Sequence, residues 1–144
     1  MLKHKNIIVA LDLEGTLISN AVSQFSRPGL YSFLEYCHDN FCRVVIFTAV
    51  NELKFRQIAK TLVEHKKAPS FFASLEYINW SGKYKDLKFI QNKQDYKIVL
   101  IDDRKEYIKP EQKLNWIYIP EYEYPYSKND SELEKIKKKL DSIN

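Results

Sequence analysis

A chain of 144 residues has room for one domain around one hydrophobic core, and residues 1–144 read as a single unit. Its 44% hydrophobic and 29% charged content exclude a disordered chain. A net charge of +4 permits an anionic partner but falls well short of a nucleic-acid-binding signature.

The chain opens with Lys3, His4 and Lys5, and its first apolar run is broken by Asp12 and Glu14. No signal peptide is expected, and no later run is long enough to span a membrane. That first run, residues 6–11, reads as a buried strand that delivers Asp12 to its carboxyl end. The polar stretch 18–26 has no period and is expected to form a loop or small flap over the strand end. Arg27-Pro28-Gly29 then opens a helix, in which Leu30, Phe33, Leu34 and Cys37 recur at helical spacing. Residues 43–47 form a second buried strand, rich in β-branched side chains, that ends at Thr48.

Asn51 caps a second helix, with Leu53, Ile58, Leu62 and Val63 as its apolar stripe and Phe55 and Ala59 beside it. Residues 71–80 are aromatic and strand-like, and the Ser81-Gly82 turn suggests a short hairpin. Residues 86–91 read as a short helical segment. Residues 98–101 form another buried strand, ending in Asp102 and Asp103, and 116–119 a further short one closed by Pro120. Residues 121–127, with three tyrosines, are expected on the surface. An amphipathic helix over 130–143 turns Leu133, Ile136 and Leu140 inward, while Lys135, Lys137, Lys138 and Lys139 form its solvated face. Cys37 and Cys42 belong to no CxxC pair and read as reduced core residues of a cytoplasmic protein. This alternation of strands and helices predicts an α/β fold, a three-layer, mostly parallel sheet with helices on both faces.

Three buried strands thus end in Asp12, Thr48 and Asp102-Asp103, and a parallel sheet brings such ends to one edge. Lys85, in the turn before residue 86, is the lysine best placed to join them. Each residue alone has a plainer role: a strand-end Asp caps a turn, and a lone Lys is a solvated surface group. Their order in the chain is what points to a shared site. Clustered carboxylates with no imidazole or thiolate partners call for a hard cation, and Mg²⁺ with a phosphate suits that donor set.

The sequence from Asp12 through Glu14, Gly15 and Thr16 to Leu17, then Phe47-Thr48-Ala49, Lys85 and Ile101-Asp102-Asp103, resembles the haloacid dehalogenase-like superfamily of phosphohydrolases. Arg27-Pro28-Gly29-Leu30 and Tyr84-Lys85-Asp86-Leu87 resemble more closely the branch of the RNA polymerase II C-terminal-domain phosphatases and NLI-interacting-factor-like proteins. The resemblance implies a Mg²⁺-dependent phosphatase working through an aspartyl-phosphate. It makes Asp12 the nucleophile, and Glu14 the acid that protonates the leaving group. Gly15, Thr16, Thr48, Ala49 and Lys85 become the substrate-binding positions. Asp12, Glu14 (through its carbonyl), Asp102 and Asp103 become the metal site.

Glu14 departs from the family pattern, which has Asp there, and places the carboxyl one methylene further out. A displacement of about 1 Å can cost ~10²-fold in rate. The short spacings 17–27 and 48–85 leave no room for a large cap domain. An open site suits a phosphorylated protein or other bulky substrate. A receiver domain of two-component signalling uses similar residues in a different order, with its acidic pair first. The remaining rival is a catalytically weak or inactive phospho-binding module, with Tyr118, Tyr122, Tyr124 and Tyr126 as its aromatic face.

Overall fold

A computed structural model describes residues 3–143. Five strands, β1 (His4–Leu11), β2 (Phe41–Ile46), β3 (Glu76–Tyr77), β4 (Lys97–Asp102) and β5 (Trp116–Tyr118), form one sheet in the order β3-β2-β1-β4-β5. Every pairing is parallel. The two central strands, β1 and β4, are in register from Ile7↔Lys97 to Leu11↔Ile101, which brings their carboxyl ends level.

Three α-helices, α1 (Leu30–Asn40), α2 (Glu52–Glu64) and α3 (Glu132–Asp141), share one face of the sheet. They press Phe33, Phe55, Ile58, Leu133 and Ile136 onto Val9, Leu11 and Ile101. The opposite face carries Ile8, Ala10, Val45 and Leu100. There the helical covering consists of 3₁₀ turns, including Leu87–Phe89 and Lys105–Tyr107, which bring in Leu87 and Ile108. Chain direction explains the difference. From β1 to β3 the chain moves toward one edge of the sheet, then crosses back past β1 to β4 and β5. Right-handed crossovers running in opposite directions put their connections on opposite faces. The same reversal makes the space beyond β1 and β4 a topological switch point, where such folds bind ligands.

Two expectations change. No hairpin occupies residues 71–80: a 3₁₀ turn, Ser70–Ser74, leads into β3, a two-residue strand parallel to β2. The aromatic residues pack individually instead of alternating across a sheet. Phe72 meets Phe55 edge-on and Phe71 stacks on His38. In α2 the buried stripe is Phe55, Ile58, Ala59 and Leu62, while Leu53 is 71% exposed. Leu53 lies two positions before Phe55, and at 3.6 residues per turn that step leads away from the buried face. Asn51 caps α2 as expected, its side chain accepting from Lys54 N. Among the described residues no helix is long and apolar enough to cross a membrane.

Candidate active site

Asp12 is the first residue beyond β1, and its N–H continues the ladder by donating to Ile101 O at 3.0 Å. Its carboxylate is held from two sides. Thr16 Oγ1 donates to Asp12 Oδ2 at 3.0 Å, and Lys85 Nζ donates to Asp12 Oδ1 at 2.9 Å. The same ammonium donates to Asp102 Oδ2, and Arg104 N donates to Asp102 Oδ1. Asp12, Asp102 and Lys85 are all buried.

Burial pulls the Lys85 pKa down, but the adjacent Asp12 and Asp102 carboxylates outweigh it and hold the ammonium above its ordinary range. Asp102 and Asp103 are both pushed up. Burial is the main cause for each, and repulsion from Asp12 adds to it.

Carboxylate oxygens of Asp12, Asp102 and Asp103 lie within 4.8 Å of one another. Three acids thus face one ammonium, an imbalance that a bound cation would relieve. Two further observations fit a cation here. Asp103 Oδ2 is buried and lacks a hydrogen-bond partner, although Oδ1 lies 3.1 Å from Thr16 Oγ1, whose single proton it shares with Asp12 Oδ2. Gly15, with φ +76°, leaves clear the space beside that oxygen, where a Cβ would come within 2.4 Å of it. An all-oxygen donor set of this kind matches a hard divalent ion.

A cavity of about 330 Å³ opens above this floor. Asp12, Glu14, Gly15, Thr48 and Ala49 line it, and Arg104, Tyr107, Glu121, Glu123 and Tyr126 complete its rim. Thr48 is buried at the end of the β2 segment, its Oγ1 accepting from Val50 N at 3.1 Å. The nine residues singled out in the sequence therefore gather at one end of the sheet. Five line the cavity, and Thr16, Lys85, Asp102 and Asp103 lie beneath it.

Glu14 is oriented toward the flap. Its Oε2 accepts from Ala21 N at 2.6 Å, and residue 14 forms an isolated bridge with Ile18. The flap is closed by a second bridge, Ile18 to Ser26.

The sequence model of the NLI interacting factor-like phosphatases matches residues 7–144. The chain belongs to this family. A viral relative, the putative CTD phosphatase-like protein 355R of Invertebrate iridescent virus 3, is 32% identical over 139 residues. That match covers 83% of this chain and 73% of the viral protein.

In this phosphatase two supports of the site have roles that the sequence left undrawn. Arg27 belongs to the motif that resembles the family, and its local sequence marks only a helix start. Its guanidinium is buried. It donates to Gly15 O at 3.1 Å, Thr16 O at 3.2 Å and Pro120 O at 2.7 Å, and grips both oxygens of Asp130. Buried arginines are rare unless paired in this way. Arg27 thereby ties the loop after Asp12 to a strap, residues 119–131, which Tyr122 N reinforces by donating to Gly15 O at 2.8 Å. Tyr122, expected on the surface, is buried and lies beside Arg27, 5.4 Å from guanidinium carbon to ring centre. Tyr107 is the second support: its carbonyl accepts from Lys85 N, and its ring lies 4.9 Å from the ammonium. No periodicity or spacing marks either partner, because both contacts join distant segments.

Proposed function

We propose that the chain hydrolyses phosphate monoesters with Asp12 as nucleophile and with Mg²⁺ held by Asp12, the Glu14 carbonyl, Asp102 and Asp103. The observation that carries this reading is the Asp12 carboxylate: it is buried, bonded to Lys85 and Thr16, and open on the cavity side. Bound Mg²⁺ would neutralise phosphate charge that otherwise repels the attacking carboxylate.

In the first step an Asp12 oxygen forms a bond to phosphorus while the bond to the leaving oxygen breaks. Glu14 gives that oxygen its proton. In the second step water attacks phosphorus, the bond to Asp12 breaks, and the Glu14 carboxylate takes the water proton, which restores both groups. Lys85 offsets charge on Asp12 and the transferring group, and Thr48 donates to a phosphoryl oxygen. Fixed charges of this kind need no reorganisation as the reaction proceeds.

The open cavity supports a bulky substrate, and the likeness to a CTD phosphatase-like protein favours a phosphoprotein. Between Thr48 and Lys85 the chain is occupied by α2, a 3₁₀ turn and β3, which are built into the fold and do not stand over the cavity as a lid.

One observation favours a second reading. The Glu14 carboxylate is engaged by Ala21 N, so it serves as a tether for the flap in this arrangement. Under that reading the chain binds phosphorylated groups and turns them over slowly or not at all.

Hydrolysis of an aryl phosphate with and without Mg²⁺ separates the two. Turnover that requires the metal and disappears in Asp12→Asn is expected. Glu14→Gln should lower kcat by ~10²–10⁴-fold if Glu14 is the acid. Glu14→Gln that matches wild type removes Glu14 from acid catalysis. Wild type without turnover above that of Asp12→Asn leaves the binding reading.

A further inference from the structure

Beside the cavity, across a wall formed by Tyr122 and Tyr126, lies a second groove of about 560 Å³. Its charge is of opposite sign. The catalytic rim carries Glu14, Glu121 and Glu123 against Arg104, whereas the second groove is lined by Lys66, Lys67 and Lys128. These three lysines are exposed, and among the described residues none has an ion-pair partner. The nearby carboxylate of Asp130 is already occupied by Arg27.

The groove also takes in the first turn of α1, from Gly29 to Ser32. That turn has no side-chain cap and no acidic residue; Leu30 N donates to Arg27 O at 3.1 Å, which leaves the N–H groups of Tyr31 and Ser32 and the positive end of the helix dipole to add to the field of the lysines.

Resting on the phosphatase reading above, we propose that this groove binds a second phosphorylated side chain of the same protein substrate, a few residues from the phosphate being removed. Charge complementarity selects the occupant. Unneutralised ammonium groups beside an uncapped helix start make a phosphate-binding environment. An extended peptide advances roughly 3.3–3.6 Å per residue, so a short segment crosses the tyrosine wall that the two hollows share. Of the two rings, Tyr122 is buried, and the half-buried Tyr126 is the one the segment would meet. The acidic rim is unsuited to a second anion, which the basic groove would take instead.

The test uses the full chain with Mg²⁺ and three substrates: an aryl phosphate, a peptide with one phosphoserine, and the same peptide with a second phosphoserine about three residues away. The doubly phosphorylated peptide is expected to show a KM about tenfold lower than the singly phosphorylated one. That preference should shrink as salt is raised. The triple variant Lys66→Ser, Lys67→Ser, Lys128→Ser should bring the two KM values together and leave aryl phosphate kcat/KM unchanged.

Equal KM values in wild type, with aryl phosphate still hydrolysed, overturn the groove and leave the phosphatase reading standing. A triple variant that keeps the preference also overturns it. A glutamate at the second position that lowers KM as far as phosphoserine does overturns the assignment to phosphate. If no substrate is turned over, the catalytic reading fails by itself. Fluorescence anisotropy with the two peptides on wild type and the triple variant then decides the groove: about tenfold tighter binding of the doubly phosphorylated peptide, lost in the variant, supports it, and equal binding overturns it.

Discussion

Asp12, Thr16, Lys85 and Asp102 are buried and joined by hydrogen bonds, with only Asp12 reaching the cavity, whereas Arg104, Glu121 and Glu123 stand exposed around it. The floor is overdetermined. Thr16 contacts two acids, Lys85 contacts two acids, and the carbonyls of Gly15 and Thr16 are pinned by Arg27. The rim is loosely tied: Arg104 lies 4.0 Å from both Asp103 and Glu121 and closer only to Glu106, at 3.3 Å. Chemistry that depends on sub-ångström placement belongs on the rigid floor. Contacts that must accommodate varied substrates belong on the rim. Glu14 joins the two, with its backbone in the floor loop and its carboxylate on the flap.

This contrast is broken most severely at Arg27. Arg27→Met takes the ion partner from Asp130 and the donor from the Thr16 and Pro120 carbonyls, while Gly15 O keeps its bond from Tyr122 N, and should cost about 3–5 kcal/mol. Urea unfolding measures this. A loss below about 1 kcal/mol would show that the strap does not hold the floor.

Gly15→Ala tests the floor itself. It forces an L-residue to φ +76° and drives a Cβ against Asp103. The backbone conformation alone should cost about 1–2 kcal/mol. Mg²⁺ affinity, read by calorimetry, should fall with it, because Asp103 must move. Unchanged affinity would remove Asp103 from the metal site.

Asp86 supports Lys85 from the next position. Its carboxylate accepts from Lys88 N, Lys109 Nζ and Gln112 Nε2, and the hydrogen bond from Lys88 N leads the effects that lower its pKa to about 2. A depressed carboxylate stabilises the fold fully above its unfolded value of ~3.9. That contribution is lost as pH falls through about 2. The stability lead of wild type over Asp86→Asn should therefore hold at neutral pH and shrink between about pH 4 and 2. A lead independent of pH over that window would assign Asp86 a packing role alone.

The smallest effect is expected on the rim. Glu121→Gln and Glu123→Gln should each change stability by no more than about 0.5 kcal/mol. Their peptide KM values should respond while the aryl phosphate rate does not. A larger loss in stability would mean that the rim is as tightly built as the floor.

Much of this was legible in the sequence, because it is written in short stretches of chain. The apolar runs of β1 and β4 form buried strands wherever they are read, and a carboxylate placed directly after such a run must emerge at the strand's end. That is enough to place Asp12, Thr48, Asp102 and Asp103 at one edge of a parallel sheet. The apolar spacing of α1 and α3 likewise needs only the helical repeat. Residues 71–80 show where the local rule fails: an aromatic run has the composition of a strand, but its side chains were claimed one at a time by α1 and α2.

What the tertiary structure alone decided is the set of contacts between distant segments. Arg27 meets Asp130 across 103 positions, and Lys85 meets Asp12 across 73. The basic groove draws its lysines from the end of α2 and from the strap, which share no local pattern. The strand order, and with it the face each crossover covers, also emerges only when the sheet closes. A buried ion pair forms where two chain segments exclude water together, and that exclusion is a property of the packed fold. The sequence by itself determined which residues form the floor of the site, and packing decided which side chains make its rim and how firmly each is held.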